Sequence, residues 1–200
     1  MGMLTLALLS VLTVVLHRSI GEVLPRFLDT KYAFVRQEII DKHNELRRRV
    51  KPTASNMRKL EWNKEATVNA IKWTKKCAFE HSTPSERAIS TSGCGENIFS
   101  SNRATNWTTA IMSWHKEVEK FTYGTLTGPW YAVGHYTQVV WATSNQIGCA
   151  AGACEKGYYL VCQYCPAGNY AGQIERPYEK GKTCSRCPKD CENGLCTKKT

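Results

Sequence analysis

Past residue 16, no stretch of this 200-residue chain is apolar for long enough to cross a bilayer. The chain lacks a His-Glu-x-x-His segment and has no serine inside Gly-x-Ser-x-Gly. Neither the helical zinc-protease motif nor the hydrolase nucleophile elbow is therefore present. There is no internal repeat and no low-complexity tract, which argues against a solenoid. Negative charge is scarce: 17 Asp and Glu stand against 27 Lys and Arg, for a net charge of +10. A surface of that sign favours anionic partners such as sulfated glycans, acidic glycoproteins or anionic lipid. No nucleic-acid-binding motif accompanies the charge, and nucleic acid is not expected as a partner.

The chain opens with an apolar run. Residues 3–16 are interrupted only by Thr5, Ser10 and Thr13, which is too short for a membrane span and right for a signal h-region. Ser19-Ile20-Gly21 offers a small-residue cleavage site, so residues 1–21 are expected to be a signal peptide and the product to be secreted and extracellular. All ten cysteines follow: Cys77, Cys94, Cys149, Cys154, Cys162, Cys165, Cys184, Cys187, Cys191 and Cys196. An even number behind a signal peptide implies disulfides, each typically stabilising by about 2–4 kcal/mol. Most lie from Cys149 onward, so the C-terminal third is the stapled part. Cys162/Cys165 and Cys184/Cys187 have a zinc-like Cys-x-x-Cys spacing, but an oxidising compartment makes zinc there the weaker reading.

Residues 34–50 read as an amphipathic helix with Val35, Ile39, Leu46 and Val50 on its apolar stripe. Arg47, Arg48, Arg49 and Lys51 load its C-terminal end and read as a solvated helix end; His43 reads as structural. Asn63 is placed to cap a second helix reaching about Cys77, with Ala66, Ala70, Trp73 and Cys77 buried and Lys64, Lys72, Lys75 and Lys76 outside. A third helix, striped by Trp107, Ile111, Trp114, Val118 and Phe121, is expected to run to about Phe121. Residues 134–141, Gly-His-Tyr-Thr-Gln-Val-Val-Trp, read as a turn leading into a strand, with His135 held at its mouth. Residues 147–151 and 158–164 read as two further strands joined by a turn around Glu155-Lys156-Gly157. Helices first and strands later suggest helices packed on an antiparallel sheet. Asn106-Trp107-Thr108 is a glycosylation sequon.

Four side chains stand out chemically. His81 and His135 sit where loops meet regular elements, Glu96 lies between Gly95 and Asn97, and Glu117 borders the apolar face of the third helix, where an unpaired carboxylate is costly. Two imidazoles and two carboxylates suit a divalent metal, with each carboxylate orienting an imidazole from behind, or alternatively a general acid–base pair.

Residues 134–141 resemble the first signature of the CAP superfamily, which groups cysteine-rich secretory proteins, insect-venom antigen five and plant pathogenesis-related proteins. Residues 159–169, Tyr-Leu-Val-Cys-Gln-Tyr-Cys-Pro-Ala-Gly-Asn, resemble the second signature. His43-Asn44-Glu45-Leu46-Arg47, Cys94-Gly95-Glu96-Asn97 and Ser113-Trp114-x-x-Glu117 resemble the remaining blocks, in the same order. The resemblance is strongest to vertebrate cysteine-rich secretory proteins and covers about residues 35–196. It implies an α+β fold, an α-β-α sandwich with a three-stranded antiparallel core sheet plus a short disulfide-rich hinge. The implied domains are residues 22–170 for the CAP domain and 171–200 for the hinge.

The same resemblance puts the family's cavity tetrad on His81, Glu96, Glu117 and His135, with His81 and His135 able to hold zinc. It implies the bridges Cys77–Cys154, Cys94–Cys165, Cys149–Cys162, Cys184–Cys191 and Cys187–Cys196. The implied function is a secreted binding protein contacting a cell-surface protein, glycan or lipid, in reproductive or defence secretions, with peripheral membrane contact at most. The aromatic loop at residues 123–131 is the lipid or sterol candidate. The alternatives are a peptidase using Glu96 and Glu117, or an ion-channel modulator. The family's further cysteine-rich domain, associated with channel regulation, has none of its cysteines in this sequence, which weighs against the channel role.

Overall fold

The structure, a computed structural model, describes residues 23–197. The expected signal peptide at residues 1–21 lies outside the described residues. Among these, no helix is long and apolar enough to cross a membrane.

Strands β2 (Gly95–Ser101), β3 (Gln146–Cys154) and β4 (Gly157–Cys165) form the antiparallel centre of the sheet, with β4 in the middle. The short strand β1 (Glu61–Trp62) runs parallel to the start of β3, so the sheet is mixed and four-stranded rather than purely antiparallel with three strands. All nine residues of β4 are buried, which explains why its sequence is apolar but for Gln163 instead of alternating.

Helices α1 (Ala33–Arg48), α3 (Trp107–His115) and α4 (Gly134–Val139) cover one face of the sheet, while α2 (Lys64–Thr74) covers the other. The larger core joins Val35, Ile39 and Leu46 of α1 and Trp107, Ile111 and Trp114 of α3 to Ile147, Leu160 and Tyr164 of the sheet. On the opposite face, Ala70 and Trp73 pack on Ala150, Tyr159 and Val161. There α2 lies directly on β3: a Cβ on Gly148 would come 2.2 Å from the Thr67 nitrogen and one on Gly152 2.9 Å from the Thr74 oxygen. Only glycine permits that approach.

Sequence and structure part company at several places. Residues 136–142 are not a strand. Residues 134–139 form the short helix α4, buried nearly all round, so the β-branched and aromatic run reflects burial rather than pleating. Thr137 fits there because its one hydroxyl proton has acceptors close by, with the Val133 and Gly134 carbonyls 3.0 and 3.2 Å away. The third helix tightens after His115 into a 3₁₀ turn, Lys116–Lys120. The second helix stops at Thr74, short of Cys77, whose φ is +51°. Residues 95–101, where the sequence pattern marks no strand, form a full one.

Arg47 reverses its expectation most sharply. Its side chain is fully buried, and its guanidinium donates to the carbonyls of Arg58, Val139, Trp141, Ala142 and Ser144 at 2.7–3.3 Å. Burial lowers its pKa to about 9, which still leaves it charged at neutral pH. One side chain thereby anchors the exit of α4 to α1.

The five disulfides are Cys77–Cys154, Cys94–Cys165, Cys149–Cys162, Cys184–Cys191 and Cys187–Cys196, leaving no cysteine free. In the C-terminal segment, strands β5 (Cys191–Glu192) and β6 (Leu195–Cys196) make a small hairpin. It docks on the body: Leu195 is wholly buried in the main core, and the Cys196 N–H donates to the Met57 carbonyl at 2.8 Å.

Candidate functional site

His81 stands in the loop between α2 and β2, Glu96 is the second residue of β2, Glu117 lies in the 3₁₀ turn after α3, and His135 is in the first turn of α4. The structure gathers them into two pairs. Glu96 Oε1 accepts from His81 Nδ1 at 3.0 Å, and Glu117 Oε1 accepts from His135 Nδ1 at 2.7 Å. His81 and His135 line one cleft of ≈ 110 Å³ together with Glu96, Asn97, Trp130, Tyr131 and Asn169.

Glu96 is almost fully enclosed, its side chain 1% exposed. Besides His81 it accepts from the Ser82 N–H at 2.9 Å, the Ser82 hydroxyl at 2.8 Å and the Gln163 amide at 3.1 Å. Burial pushes its pKa upward, but the hydrogen bonds from His81, Ser82 and Gln163 outweigh that, and the net shift is downward. It is therefore an ionised acceptor with its lone pairs committed. Glu117 is committed too: its Oε2 accepts from the His135 and Tyr136 backbone N–H groups at 2.9 and 3.0 Å. Those are two of the orphan amides that begin α4, so Glu117 caps that helix from another part of the chain while orienting the His135 ring.

The shell behind His135 is polar and closed. The Asn97 amide donates to the His135 carbonyl at 3.0 Å. Asn169, with φ +57°, donates to the Gly134 carbonyl at 2.7 Å and accepts from the Thr137 hydroxyl at 2.7 Å. Deeper still, His43 is fully buried. Its Nδ1 meets the Ile39 carbonyl at 2.8 Å, which can only accept, so Nδ1 carries the proton. Its Nε2 then accepts from the Tyr164 hydroxyl at 2.9 Å, and that oxygen faces the Asn97 amide at 3.4 Å. A hydrogen-bonded chain thus runs from the core to the cleft.

This architecture is shared with known proteins. The Cysteine-rich secretory protein family profile, CAP, matches residues 40–164. The chain belongs to that family. The chain is 51% identical over 168 residues to Cysteine-rich secretory protein 3 of Equus caballus, covering 82% of this chain and 69% of the relative. It is 49% identical to Cysteine-rich secretory protein 2 of Homo sapiens with the same coverage. Among solved structures it resembles NaASP2 crystallised with Zn2+, at a TM-score of 0.71, 32% identity and coverage of 90% of this chain and 98% of that one.

The donor set of this CAP protein leaves one way in which it could meet a metal. With each Nδ1 hydrogen donated to a carboxylate, the Nε2 lone pairs of His81 and His135 are the ring atoms left to coordinate. Among the described residues no three of the tetrad's donor atoms lie within 4.8 Å of one another. Two imidazoles would therefore be the protein's ligands, with water or an incoming group completing the shell, and the carboxylates would stand behind them. Among the described residues the one tight cluster of donor atoms, Cys184, Cys187 and Cys196, is consumed by disulfides. At the sequon, Asn106 is exposed and caps α3 by accepting from the Thr109 N–H at 2.8 Å.

Ser82, Asn97, Gln163 and Asn169 were not singled out from sequence alone. Asn97, Gln163 and Asn169 do stand inside the signature blocks, which is the one signal pointing to them.

Proposed function

We propose that this is a secreted, extracellular binding protein that holds a divalent metal, zinc first among candidates, between His81 and His135. The observation that carries the reading is the commitment of both Nδ1 atoms to Glu96 and Glu117, which fixes the tautomer that a metal needs. A structural relative crystallised with Zn2+ supports the choice of ion. When bound, the metal would supply a Lewis-acidic centre at the cleft mouth. His81 and His135 would bind it, Glu96 and Glu117 would orient the rings, and Trp130 and Tyr131, 55% and 68% exposed, would present apolar surface beside it.

The partner we favour is an anionic or amphipathic ligand at a cell surface, met by the basic surface and these two rings. A peptidase reading, with a glutamate as general base, is disfavoured because both carboxylates already accept at both oxygens. Calorimetric titration with zinc tests the proposal. Binding should be lost in the His81→Ala/His135→Ala double variant, and undiminished binding would remove the metal from the reading.

A further inference from the structure

The sheet is left open at β3. Strand β1 covers only Gln146 and Ile147 before Asn63 turns the chain into α2, its N–H donating to the Ile147 carbonyl at 2.8 Å. That bond shows that Ile147 points its backbone groups away from β4. Orientation repeats every second residue along a strand, so the N–H and C=O of Ala151 and Ala153 also face outward. Both residues are partly exposed, and among the described residues no hydrogen bond reaches these edge groups.

Ala150 and Ala151 of this edge line a groove of ≈ 570 Å³, and Ala153 continues the edge past its end. One wall is Val68 and Ile71 of α2, 48% and 38% exposed, and Leu24 and Trp62 close the apolar lining. Lys31, Arg36 and Lys64 stand at its rim against the single acid Asp29, which Lys31 already meets at 2.8 Å. Among the described residues Lys64 makes no ion pair.

Unpaired donors and acceptors at two-residue spacing between apolar walls suit an extended backbone, since an aliphatic chain would leave them unsatisfied. The rim sets the charge of the occupant. A second copy of this chain would bring the same cations and repel, whereas an acidic segment is attracted. We propose that the β3 edge is a strand-addition site for an extended, acidic peptide segment of a partner protein, which pairs its backbone with Ala151 and Ala153.

The test is selection of linear heptapeptides from a display library on the disulfide-intact protein at low salt, followed by amide exchange on the complex. Enriched peptides should carry Asp or Glu, protect the Ala151 and Ala153 amides and bind at least tenfold more weakly at high salt. The Lys64→Glu/Val68→Glu variant, changed only at outward-facing side chains, should also lose at least tenfold. N-methylation of alternate peptide amides should abolish binding in one register and not in the other. The proposal fails if no peptide is enriched, if enriched peptides protect other amides, if the double variant binds unchanged, or if N-methylation in the two registers has the same effect. It also fails if the free protein is already a dimer protected at Ala151 and Ala153, or if a long-chain fatty acid fills the groove in place of any peptide.

Discussion

Acidification should withdraw stability from this fold through His43. Burial lowers its pKa from the ordinary 6.5 to about 4; the hydrogen bond to the Ile39 carbonyl opposes this, and the Arg47 charge adds to it. Between these values the unfolded chain takes up a proton that the folded one refuses. Stability is therefore complete above about pH 6.5, declines as the pH falls toward about 4, and is not reduced further by this group below that. A shift of that size corresponds to about 3 kcal/mol. The structural cause is burial: the charged ring would be desolvated near Arg47, and the Tyr164 hydroxyl that now donates to Nε2 would have to turn to accept from it. Denaturant unfolding at steps from pH 7.5 to 4 measures the slope, and His43→Gln supplies the control. His115, also lowered by burial, titrates with the same sign in both proteins, so the difference between the two curves isolates His43. Parallel curves would refute the assignment.

Three further outcomes follow from the packing. Arg47→Lys offers three donors to five carbonyls and should cost at least about 3 kcal/mol in denaturant unfolding; a near-neutral result would mean those carbonyls find other partners. Glu117→Gln can still accept from the two α4 amides but turns an amide N–H toward His135 Nδ1, forcing the proton to Nε2. Zinc affinity should fall by about 10–100-fold with the melting temperature nearly unchanged, as calorimetry and thermal unfolding would report. Gly148→Ala drives a Cβ into the backbone of α2 and should destabilise by about 3 kcal/mol, lowering the melting temperature by roughly 6–12 °C.

How much was legible beforehand depended on whether a residue's partners were near in sequence. The β3–β4 hairpin was readable because its strand pattern and its turn around residue 155 are local. The apolar faces of α1 and α3 were readable from spacing alone. The tetrad was visible because each member is an oddity in place: a histidine at a junction, a carboxylate on an apolar border. Gly134–Val139 was misread because a helix buried all round loses the polar face that distinguishes its period from a strand's. Arg47 was misread because three consecutive arginines look alike, and only its five distant carbonyl partners separate it from its neighbours. Ser82 gives no local sign and Gln163 only its place in the second signature block; each matters because β2 brings Glu96 between them.

The Arg47 side chain also constrains how the molecule can be taken apart. The carbonyls it satisfies at residues 139–144 have their donor nearly a hundred positions earlier in the chain. A C-terminal fragment that begins after α1 would bury those oxygens unpaired or expose them with the signature helix. Limited proteolysis between α1 and α4 should therefore give no stable half; the nicked protein should survive only while both pieces stay associated. The cleft is in that sense a joint property of α1 and the α4 segment, present only once they have met.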